Sequence, residues 1–437
     1  MGIFACKEAD AMSRSRPASI LLAGLLAIGC SGSSATAAEA VFPANLAGHA
    51  ILPAPTFLAP PADAPASLQT SGKTAPRPAS GDVVPPFAGQ PAQGHSAIRR
   101  APDGSFWLVS DNGTGRKDNA ADFMLHLSRY RVDFDSGSFD RLETVFLSDP
   151  QSRAPFPIVT AGTAERYLTG ADFDPESLAF TADAIWIGDE FGPYLLKFDS
   201  RGRLLEVFDT LIDGRPARSP DHPDGSSSAR VQRSKGLEAL AASPDGTVLY
   251  PMLEGPLYED AVSDARVVRI LEFDVAGRHW TGRHWKYVLH KPSHAVGDVA
   301  MIDATTALVI ERDLGFGTVD RACPAGPNHY DCFPDPAKFK RVYKIELDQR
   351  RVGDSVRKIG YVDLMSIADP RGRALKPLTN GVLAFPFVTI EGVDVVDDRH
   401  IVVGNDNNLP YSRSREPTRV DDNELVLVEV AELLNAR

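Results

Sequence analysis

The stretch Pro175–Leu211 reads PESLAFTADAIWIGDEFGPYLLKFDSRGRLLEVFDTL and contains four short apolar runs. Runs rich in β-branched, aromatic and aliphatic residues, separated by turns with Gly, Asp or Pro, predict β-strands. Four such strands in succession predict one antiparallel unit. Asp189 and Glu190 end the second strand. A single occurrence leaves open whether they form a solvated turn or part of a site.

The same unit recurs along the chain, with starts about 60 to 90 residues apart. A four-stranded unit repeated at this period predicts a β-propeller, in which each unit is one blade. We expect an all-β protein with five visible blades, and five or six in total; an open sandwich is the alternative. The last copy lacks its fourth strand, which a segment within Val41–Ala59 is expected to supply. The other first strands lie in GHSAIRR (94–100), GLEALAAS (236–243), GDVAMI (297–302) and IEGVDVV (390–396).

Residues 1–38 resemble an export signal, with Arg14 and Arg16 ahead of the apolar stretch Ala18–Ile28. That stretch is shorter than the ~20 residues a membrane span needs, and no other segment reaches this length. Two cleavage patterns remain open: LAIGC would make Cys30 a lipidated first residue, whereas ATAAEA suits ordinary cleavage. We expect an exported protein that is periplasmic, secreted, or anchored to the outer membrane through Cys30 alone.

The remaining chain is expected to consist of an Ala- and Pro-rich arm at 39–93 and the propeller domain at 94–437. Cys323 and Cys332 flank a short loop within this domain. In an oxidising compartment the two cysteines are expected to form a disulfide. Together with His329 they are too few for a tetrahedral zinc site.

The overall charge argues against nucleic acid as a partner. The chain carries 46 Lys and Arg against 58 Asp and Glu, a formal net charge of -12. Binding a phosphate backbone requires clustered basic residues. A small anionic substrate is the expected partner, for the reasons that follow.

Acidic and amide side chains recur at the start of the first strand and at the end of the second. Because these strands are antiparallel neighbours, both points lie at the same edge of the sheet. If the first strand is innermost, as in propellers, the groups surround the mouth of the central channel. For any single pair, turn capping is the alternative. The predicted ring contains Asp111, Asn112, Glu176, Asp189, Glu190, Glu238, Glu254, Asp298, Glu311, Asp313, Glu391, Asn405, Asp406 and Asn407.

A ring of carboxylates requires compensation, because two of them about 4 Å apart repel by several kcal/mol at an effective dielectric constant of about 20. Protonation, basic neighbours or a hard metal ion can each offset this repulsion. Oxygen ligands from Asp, Glu and Asn favour Ca²⁺ or Mg²⁺, and we predict Ca²⁺. The predicted metal ligands are Asp111, Glu176, Asp189, Glu254, Glu311, Asp313, Glu391, Asn405 and Asp406.

Basic residues accompany the ring, and with a metal ion they would form a site for an oxyanion such as phosphate. Lys235 precedes GLEAL, and Arg312 lies inside the ERD of ALVIERD. A plain ion-pair role for Arg312 is the alternative. The predicted catalytic residues are Glu190 and Glu238 as candidate bases, with Arg312 and Lys235 stabilising developing charge.

Four segments resemble the phytase-like family named for the "esterase-like activity of phytase". They are DPESLAF with IWIGDEFGPYLLKFD, KGLEALAASPDGTVLYPMLEGPL, LVIERD, and IEGVDVVDDRHIVVGNDNN. The resemblance covers about residues 90–430 and implies an exported propeller with phosphoester hydrolysis and Ca²⁺ in an acidic channel mouth. Lys235 stands where the family pattern suggests Asn or Arg, and GDVAMI lacks the Glu-Gly opening of the other copies.

Three functions therefore compete. The first is a metal-dependent phosphoester hydrolase, and the second is a Ca²⁺-dependent propeller lactonase or carboxylesterase. The third is a non-catalytic periplasmic binding propeller, since a fold does not fix a function. A serine esterase is disfavoured because the chain has no G-x-S-x-G segment.

Overall fold

Five antiparallel sheets stand as blades in a ring in the computed structural model, which describes residues 39–78, 81–113, 115–325 and 331–437. The predicted signal peptide with Cys30, and also His329, lie outside the described residues. The innermost strand of each blade contacts the innermost strands of the two neighbouring blades, so the ring is closed. The propeller prediction is confirmed with five blades, and the open sandwich is wrong.

Each blade has four main strands, which follow chain order from the channel outward in the first four blades, whereas the fifth blade takes its fourth strand from the N-terminal segment. The strands are, for the first blade, His95–Arg100, Phe106–Ser110, His126–Asp133 and Ser138–Phe146; for the second, Pro175–Phe180, Ile185–Asp189, Tyr194–Phe198 and Leu204–Asp209; for the third, Leu237–Ala242, Val248–Leu253, Val267–Asp274 and His279–Val288; for the fourth, Ala295–Met301, Thr306–Arg312, Lys340–Glu346 and Arg357–Asp363; and for the fifth, Ile390–Val395, His400–Asn405, Asn423–Glu429 and Asn45–Leu52.

The N-terminal segment closes the ring. Asn45–Leu52 pairs antiparallel with Asn423–Glu429 and is the fourth strand of the last blade. The expected strand within Val41–Ala59 is therefore present. Ala40–Val41 adds in parallel to the outer strand of the fourth blade at Gly360 and Tyr361. Residues expected to form an arm thus contribute strands to two blades.

The other elements are short. Neither helix in the described part of the chain is long and apolar enough to cross a membrane. The predicted disulfide between Cys323 and Cys332 is present. The elements are the paired strands Phe57–Leu58 with Gln90–Pro91 and Leu211–Ile212 with Arg215–Pro216, the two-residue strands Ala40–Val41, Ile367–Ala368 and Val382–Leu383 added outside the blades, the 3-10 turns Ala66–Leu68, Ser226–Ser228 and Val319–Arg321, and the helices Tyr258–Asp264 and Ala431–Asn435.

The core lies between the blades, where apolar faces of neighbouring sheets pack. Trp186 of the second blade is fully buried, and its ring centroid lies 5.6 Å from that of Phe273 in the third. Aromatic pairs at this separation add to the stabilisation from burial. This packing fixes the blades relative to one another and hence fixes their channel-facing ends.

Arg99, on the innermost strand of the first blade, reaches the innermost strands of three other blades. Its two terminal nitrogens each donate to a carboxylate oxygen of Asp298 at 2.8 Å, and they also donate to the carbonyls of Leu240, Val299 and Val393. The guanidinium therefore joins the first, third, fourth and fifth blades. Asp298, expected in the ring at the mouth, instead neutralises Arg99.

Candidate active site at the channel mouth

A cavity of about 260 Å³ at the channel mouth collects acidic side chains from most of the blades. It is lined by eight carboxylates and two cations, so full ionisation would leave a net charge of -6. Every blade contributes at least one charged group. The carboxylates are Asp111, Asp174, Glu176, Glu190, Glu238, Glu254, Glu391 and Asp406, and the cations are Lys235 and Arg312.

Register shifts at the starts of the innermost strands explain how several of these side chains reach the mouth. In the second blade Ser177 pairs with Gly188 and Pro175 with Asp189, so Glu176 lies outside the ladder. Glu238 and Glu391 are left out in the same way in the third and fifth blades. A bulge bends the strand locally and re-aims the extra side chain. The shared bulge position therefore supplies an acid from three blades.

The second strands supply further charged side chains of the cavity. Glu190, Glu254 and Asp406 immediately follow the second strands of their blades, whereas Arg312 is the last residue of its strand. Gly236 permits a close approach here, because a Cβ atom at this position would lie 2.5 Å from the Cα atom of Glu190. The second and third blades therefore meet directly behind the site.

Arg312 lies among three carboxylates, with its side chain only 4% exposed. Its Nη2 atom is 2.8 Å from Glu391 Oε1, 3.1 Å from Glu254 Oε1 and 3.6 Å from Glu238 Oε1. Lys235 Nζ lies 2.5 Å from the second oxygen of Glu254. This half of the cavity thus carries its own positive charge.

The other half is formed by Asp174, Glu176 and Glu190, each of which offers a carboxylate oxygen within 4.8 Å of the others. Among the described residues, no Lys or Arg is within ion-pair distance of these three carboxylates. A second group of the same kind, Glu190, Glu238 and Glu254, shares Glu190 with the first. Glu190 is therefore common to both groups.

Asp174 is a site residue that the sequence reasoning missed. Asn112 donates to it twice, from Nδ2 to Oδ2 at 2.6 Å and from the backbone N to Oδ1 at 3.1 Å. The available signal was its spacing: in an extended chain, residues two apart point to the same side, and Asp174 is two residues before Glu176. The predicted strand began at the following Pro175, and Asp174 therefore lay outside it.

Burial raises the pKa values of the clustered acids, and mutual repulsion adds to the effect. The pKa values of Glu176, Glu190 and Glu238 lie well above the ordinary range, with burial as the main cause and neighbouring carboxylates as the next. The pKa of Asp174 is raised to about 6 and that of Glu391 to about 8, again mainly through burial. Some of these acids consequently hold protons near neutral pH unless a cation replaces them.

The same effect reaches the acids at the edge of the site. Burial raises the pKa of Asp406 to about 6, and it raises that of Asp111 well above its ordinary value, with Asp406 and Asp174 adding repulsion. Both residues line the cavity.

Glu311 is not part of this site, although it was predicted as a metal ligand. It is adjacent to Arg312 in a strand, where successive side chains point to opposite faces. Its carboxylate accepts hydrogen bonds from Tyr287 at 2.8 Å and Lys358 at 2.7 Å, and lies 2.9 Å from His294 Nδ1. Although burial opposes it, His294 and Lys358 hold the pKa of Glu311 at about 2.

Asp189 and Asp313 also have structural partners instead of cavity positions. Asp189 is fully buried and accepts hydrogen bonds from the backbone of Asp174 at 2.8 Å and Gly192 at 2.7 Å. Asp313 lies 3.1 Å from Lys340 Nζ and accepts from the backbone N of Lys338 at 2.9 Å. Each carboxylate is aimed at its own turn, which matches the turn-capping alternative.

Asn405 and Asn407 bind neighbouring backbone and side-chain groups. Asn405 donates to the carbonyl of Asp422 at 3.1 Å and accepts from the backbone N of Glu424 at 2.7 Å. Asn407 donates to Gln93 at 2.7 Å. The amides therefore join the last blade to its surroundings, and neither lines the cavity.

These features define an all-β, five-bladed propeller with an acidic, partly neutralised cavity at one end of its channel. A family model described as "Phytase-like: Esterase-like activity of phytase" matches residues 90–409, and the chain belongs to this family. The family points to a hydrolase of the esterase or phosphoesterase kind. The acidic cavity is compatible with that class.

One curated relative and several solved structures are similar to parts of the chain. An uncharacterized secreted protein of Arthroderma benhamiae is 31% identical over 125 residues, covering 24% of this chain and 24% of that protein. The chain thus spans about a quarter of this relative. Together with the disulfide, the relative's description hints at export.

Among solved structures, hydrazine synthase of Kuenenia stuttgartiensis shares 12% identity over 75% of this chain and 81% of that chain, with a TM-score of 0.31. A putative 6-phosphogluconolactonase of Bacteroides uniformis shares 13% identity over 78% and 86% of the two chains, with a TM-score of 0.29. At these scores the similarity carries no argument about function.

Proposed function

We propose that the protein is an exported, Ca²⁺-dependent hydrolase that cleaves phosphoesters in the channel-mouth cavity. The observation that carries this proposal is the division of the cavity into two halves. Among the described residues, Asp174, Glu176 and Glu190 form an acidic half with no Lys or Arg at ion-pair distance, whereas in the other half Arg312 and Lys235 offset most of the charge of the carboxylates beside them. An anionic phosphoryl group fits between a bound cation and these basic residues.

The residues of the acidic half fit a hard divalent cation. All three donors are carboxylate oxygens, the ligand type that Ca²⁺ prefers. Asp174 and Glu176 are within hydrogen-bonding distance of each other, so either a proton or a cation has to separate their charges. Glu190 lies next to both and completes the set.

The half that contains Arg312 and Lys235 has an unused donor and an unused acceptor. Arg312 Nε and Glu238 Oε1 are buried and have no hydrogen-bond partner among the described residues. Buried polar atoms are rarely left unpaired, so each is a candidate to bind a ligand. We assign Arg312, with Lys235, to the phosphoryl oxygens, and Glu238 to the water that attacks.

In this proposal Glu238 is the general base, and it has to be ionised to accept the proton of the attacking water. Burial and the neighbouring carboxylates raise the pKa of Glu238 well above its ordinary value, and Arg312 offsets only part of that shift, so the ionised state requires the positive charge of a bound cation as well. A bound Ca²⁺ ion would supply further positive charge for the substrate and for the charge that develops on the phosphoryl oxygens. Arg312 and Lys235 stabilise the same charge from the opposite side.

The test combines metal analysis with a substrate panel. Dialysed protein is analysed for bound metal, and Ca²⁺ binding is titrated by calorimetry. Phosphomonoesters, phosphodiesters, lactones and carboxylic esters are then assayed with Ca²⁺ and with a chelator. We expect Ca²⁺ binding and chelator-sensitive phosphoester hydrolysis. Lactone or carboxylic-ester turnover alone would favour the esterase alternative, and inactivity on the whole panel would favour a binding propeller.

A further inference from the structure

Two apolar side chains, Leu314 and Val388, line the otherwise polar channel-mouth cavity, and we call them the apolar patch. Leu314 is 54% exposed, and Val388 is partly buried. Ten large apolar residues in the described part of the chain are at least 40% exposed, and among these ten only Leu314 lines this cavity. The cavity therefore offers a ligand an apolar surface beside its charged groups.

The apolar patch lies close to the residues assigned to the phosphoryl group. Leu314 follows Arg312 by two residues, so their Cα atoms are at most about 7 Å apart. Val388 precedes Glu391 by three residues, and Glu391 accepts a hydrogen bond from Arg312 at 2.8 Å. The patch is therefore within reach of the organic group of an ester whose phosphoryl oxygens bind Arg312.

A buried lysine joins the backbone segments that carry the two residues of the patch. Lys340 is fully buried, and its Nζ atom donates to the carbonyl of Asp313 at 2.7 Å and to that of Val388 at 3.4 Å. Nζ also lies 3.1 Å from the Asp313 carboxylate. Burying an ammonium group is unfavourable unless it is paired and hydrogen-bonded. These contacts satisfy the ammonium group and hold the segment that leads to Leu314 close to Val388.

Backbone hydrogen bonds on both sides of Leu314 hold this residue at the mouth. The N–H of Asp313 donates to the carbonyl of Phe339 at 2.8 Å, and the N–H of Phe316 donates to the carbonyl of Asp335 at 2.9 Å. The backbone around Leu314 is thus fixed while its side chain stays exposed. Because apolar area in contact with water is unfavourable, a ligand that covers Leu314 gains affinity.

We propose that the apolar patch binds an alkyl or aryl group attached to the ester oxygen of the substrate. The inference rests on the proposed function and specifies its substrate class as phosphoesters of hydrophobic alcohols. The phosphoryl group binds Arg312 and Lys235, and the hydrocarbon covers Leu314 and Val388. Because this contact is made both in the bound substrate and in the transition state, it lowers KM and leaves kcat nearly unchanged.

The first experiment measures kcat/KM for hexyl phosphate and for methyl phosphate in the presence of Ca²⁺. Their alcohols are similar leaving groups, so the ratio of the two values reports contact with the hydrocarbon. We expect the wild type to prefer hexyl phosphate by about tenfold, roughly the gain from burying two methylene groups, through a lower KM. Leu314→Ser should lose most of this preference.

Val319→Ser is the matched control, because Val319 is also exposed but does not line this cavity, and it should keep the preference. An equal preference in the wild type and in Leu314→Ser, or a preference expressed in kcat alone, would overturn the proposal.

A binding measurement separates this inference from the proposed function. Calorimetry compares hexylphosphonate with methylphosphonate, neither of which has an ester bond to be cleaved, in the presence of Ca²⁺. Tighter binding of hexylphosphonate that weakens about tenfold in Leu314→Ser supports the patch even if no ester is hydrolysed, in which case the proposed function alone is wrong. The patch is refuted if the wild type does not bind hexylphosphonate more tightly, or if Leu314→Ser leaves the difference unchanged, whatever the outcome of the activity assays.

Discussion

Glu391 and Glu311 provide a paired test of the electrostatics, because the structure shifts their pKa values in opposite directions. Glu391, in the cavity, has its pKa raised to about 8, mainly by burial. Glu311, one blade away, has its pKa lowered to about 2 by His294 and Lys358 against the effect of burial. Substituting each with Gln removes one ionisable group and keeps the side-chain shape.

The expected changes in the free energy of unfolding follow from the shifts in pKa. For Glu391 the pKa rises from 4.5 in the unfolded chain to about 8 in the folded protein. Its contribution to stability is fully present below pH 4.5 and is lost as the pH rises through 8, a change on the order of 5 kcal/mol at 1.36 kcal/mol per unit. In a chelator, Glu391→Gln should therefore become more stable relative to the wild type as the pH rises from 4.5 to 9.

Glu311 should behave in the opposite way. Its pKa falls from 4.5 to about 2 on folding, so its contribution is present above pH 4.5 and is lost as the pH falls through 2. Glu311→Gln should cost on the order of 3 kcal/mol at neutral pH and progressively less in acid.

The measurement is the free energy of unfolding in guanidinium chloride at several pH values, with EDTA present, for the wild type and both variants. Equal m-values are required, so that the midpoints report stability. The reasoning is refuted if the relative stability of Glu391→Gln does not rise with pH, or if the two variants change in the same direction. If the stability of both variants relative to the wild type rose with pH, the hydrogen bonds to Glu311 would not compensate for the burial of its carboxylate.

Four further outcomes are expected. Glu190→Gln should weaken Ca²⁺ binding, measured by calorimetry, by at least tenfold, whereas Asp313→Asn, outside the cavity, should not change it. Glu238→Gln should lower kcat by about 10²- to 10⁴-fold while Ca²⁺ binding is retained, as expected for loss of a general base; a loss of Ca²⁺ binding would identify Glu238 as a ligand instead. Arg312→Gln should destabilise the fold by about 3–5 kcal/mol in chemical denaturation, because it leaves buried carboxylates unpaired; a near-neutral effect would contradict the assigned ion pairs. Deleting residues 39–52 should prevent soluble expression, because the last blade loses the strand Asn45–Leu52; a soluble, folded product would show that ring closure is dispensable.

The periodic pattern of strands and turns was sufficient to predict the fold, because each blade repeats the same local chemistry. It also located the missing strand within Val41–Ala59, since a propeller whose last sheet is incomplete has to be closed from the other end of the chain. The number of blades was harder to predict from the sequence. Asn45–Leu52 lies in a segment rich in Ala and Pro, and only the strand pairing shows that it completes a blade and does not begin another.

The site was predicted less completely, because strand position alone does not determine the direction of a side chain. Glu311 and Arg312 are neighbours at the same strand end, yet Arg312 enters the cavity and Glu311 faces the interface with the third blade. Asp189 and Glu190 differ in the same way, since the first caps a turn and the second lines the cavity. Alternation of side chains along a strand could have separated each pair once the cavity-facing member was known.

The blades contribute unequal charge to the channel mouth. The difference arises at the start of the innermost strand, a position that is equivalent in every blade of the fold. The bulge at the start of the innermost strand holds Glu176, Glu238 and Glu391 in the second, third and fifth blades, but it holds Ser96 in the first. In the fourth blade the register shift leaves two residues outside the ladder, and one of them, Asp298, accepts a hydrogen bond from Arg99.

The fourth blade contributes no acid to the cavity. Its charged residue there is Arg312, which is positive. A symmetric ring of acids would hold cations alone. Arg312 and Lys235 instead offset most of the charge of the carboxylates beside them, while Asp174, Glu176 and Glu190 stay without a basic partner at ion-pair distance among the described residues. One half of the cavity is therefore suited to a metal ion and the other half to the anion bound with it.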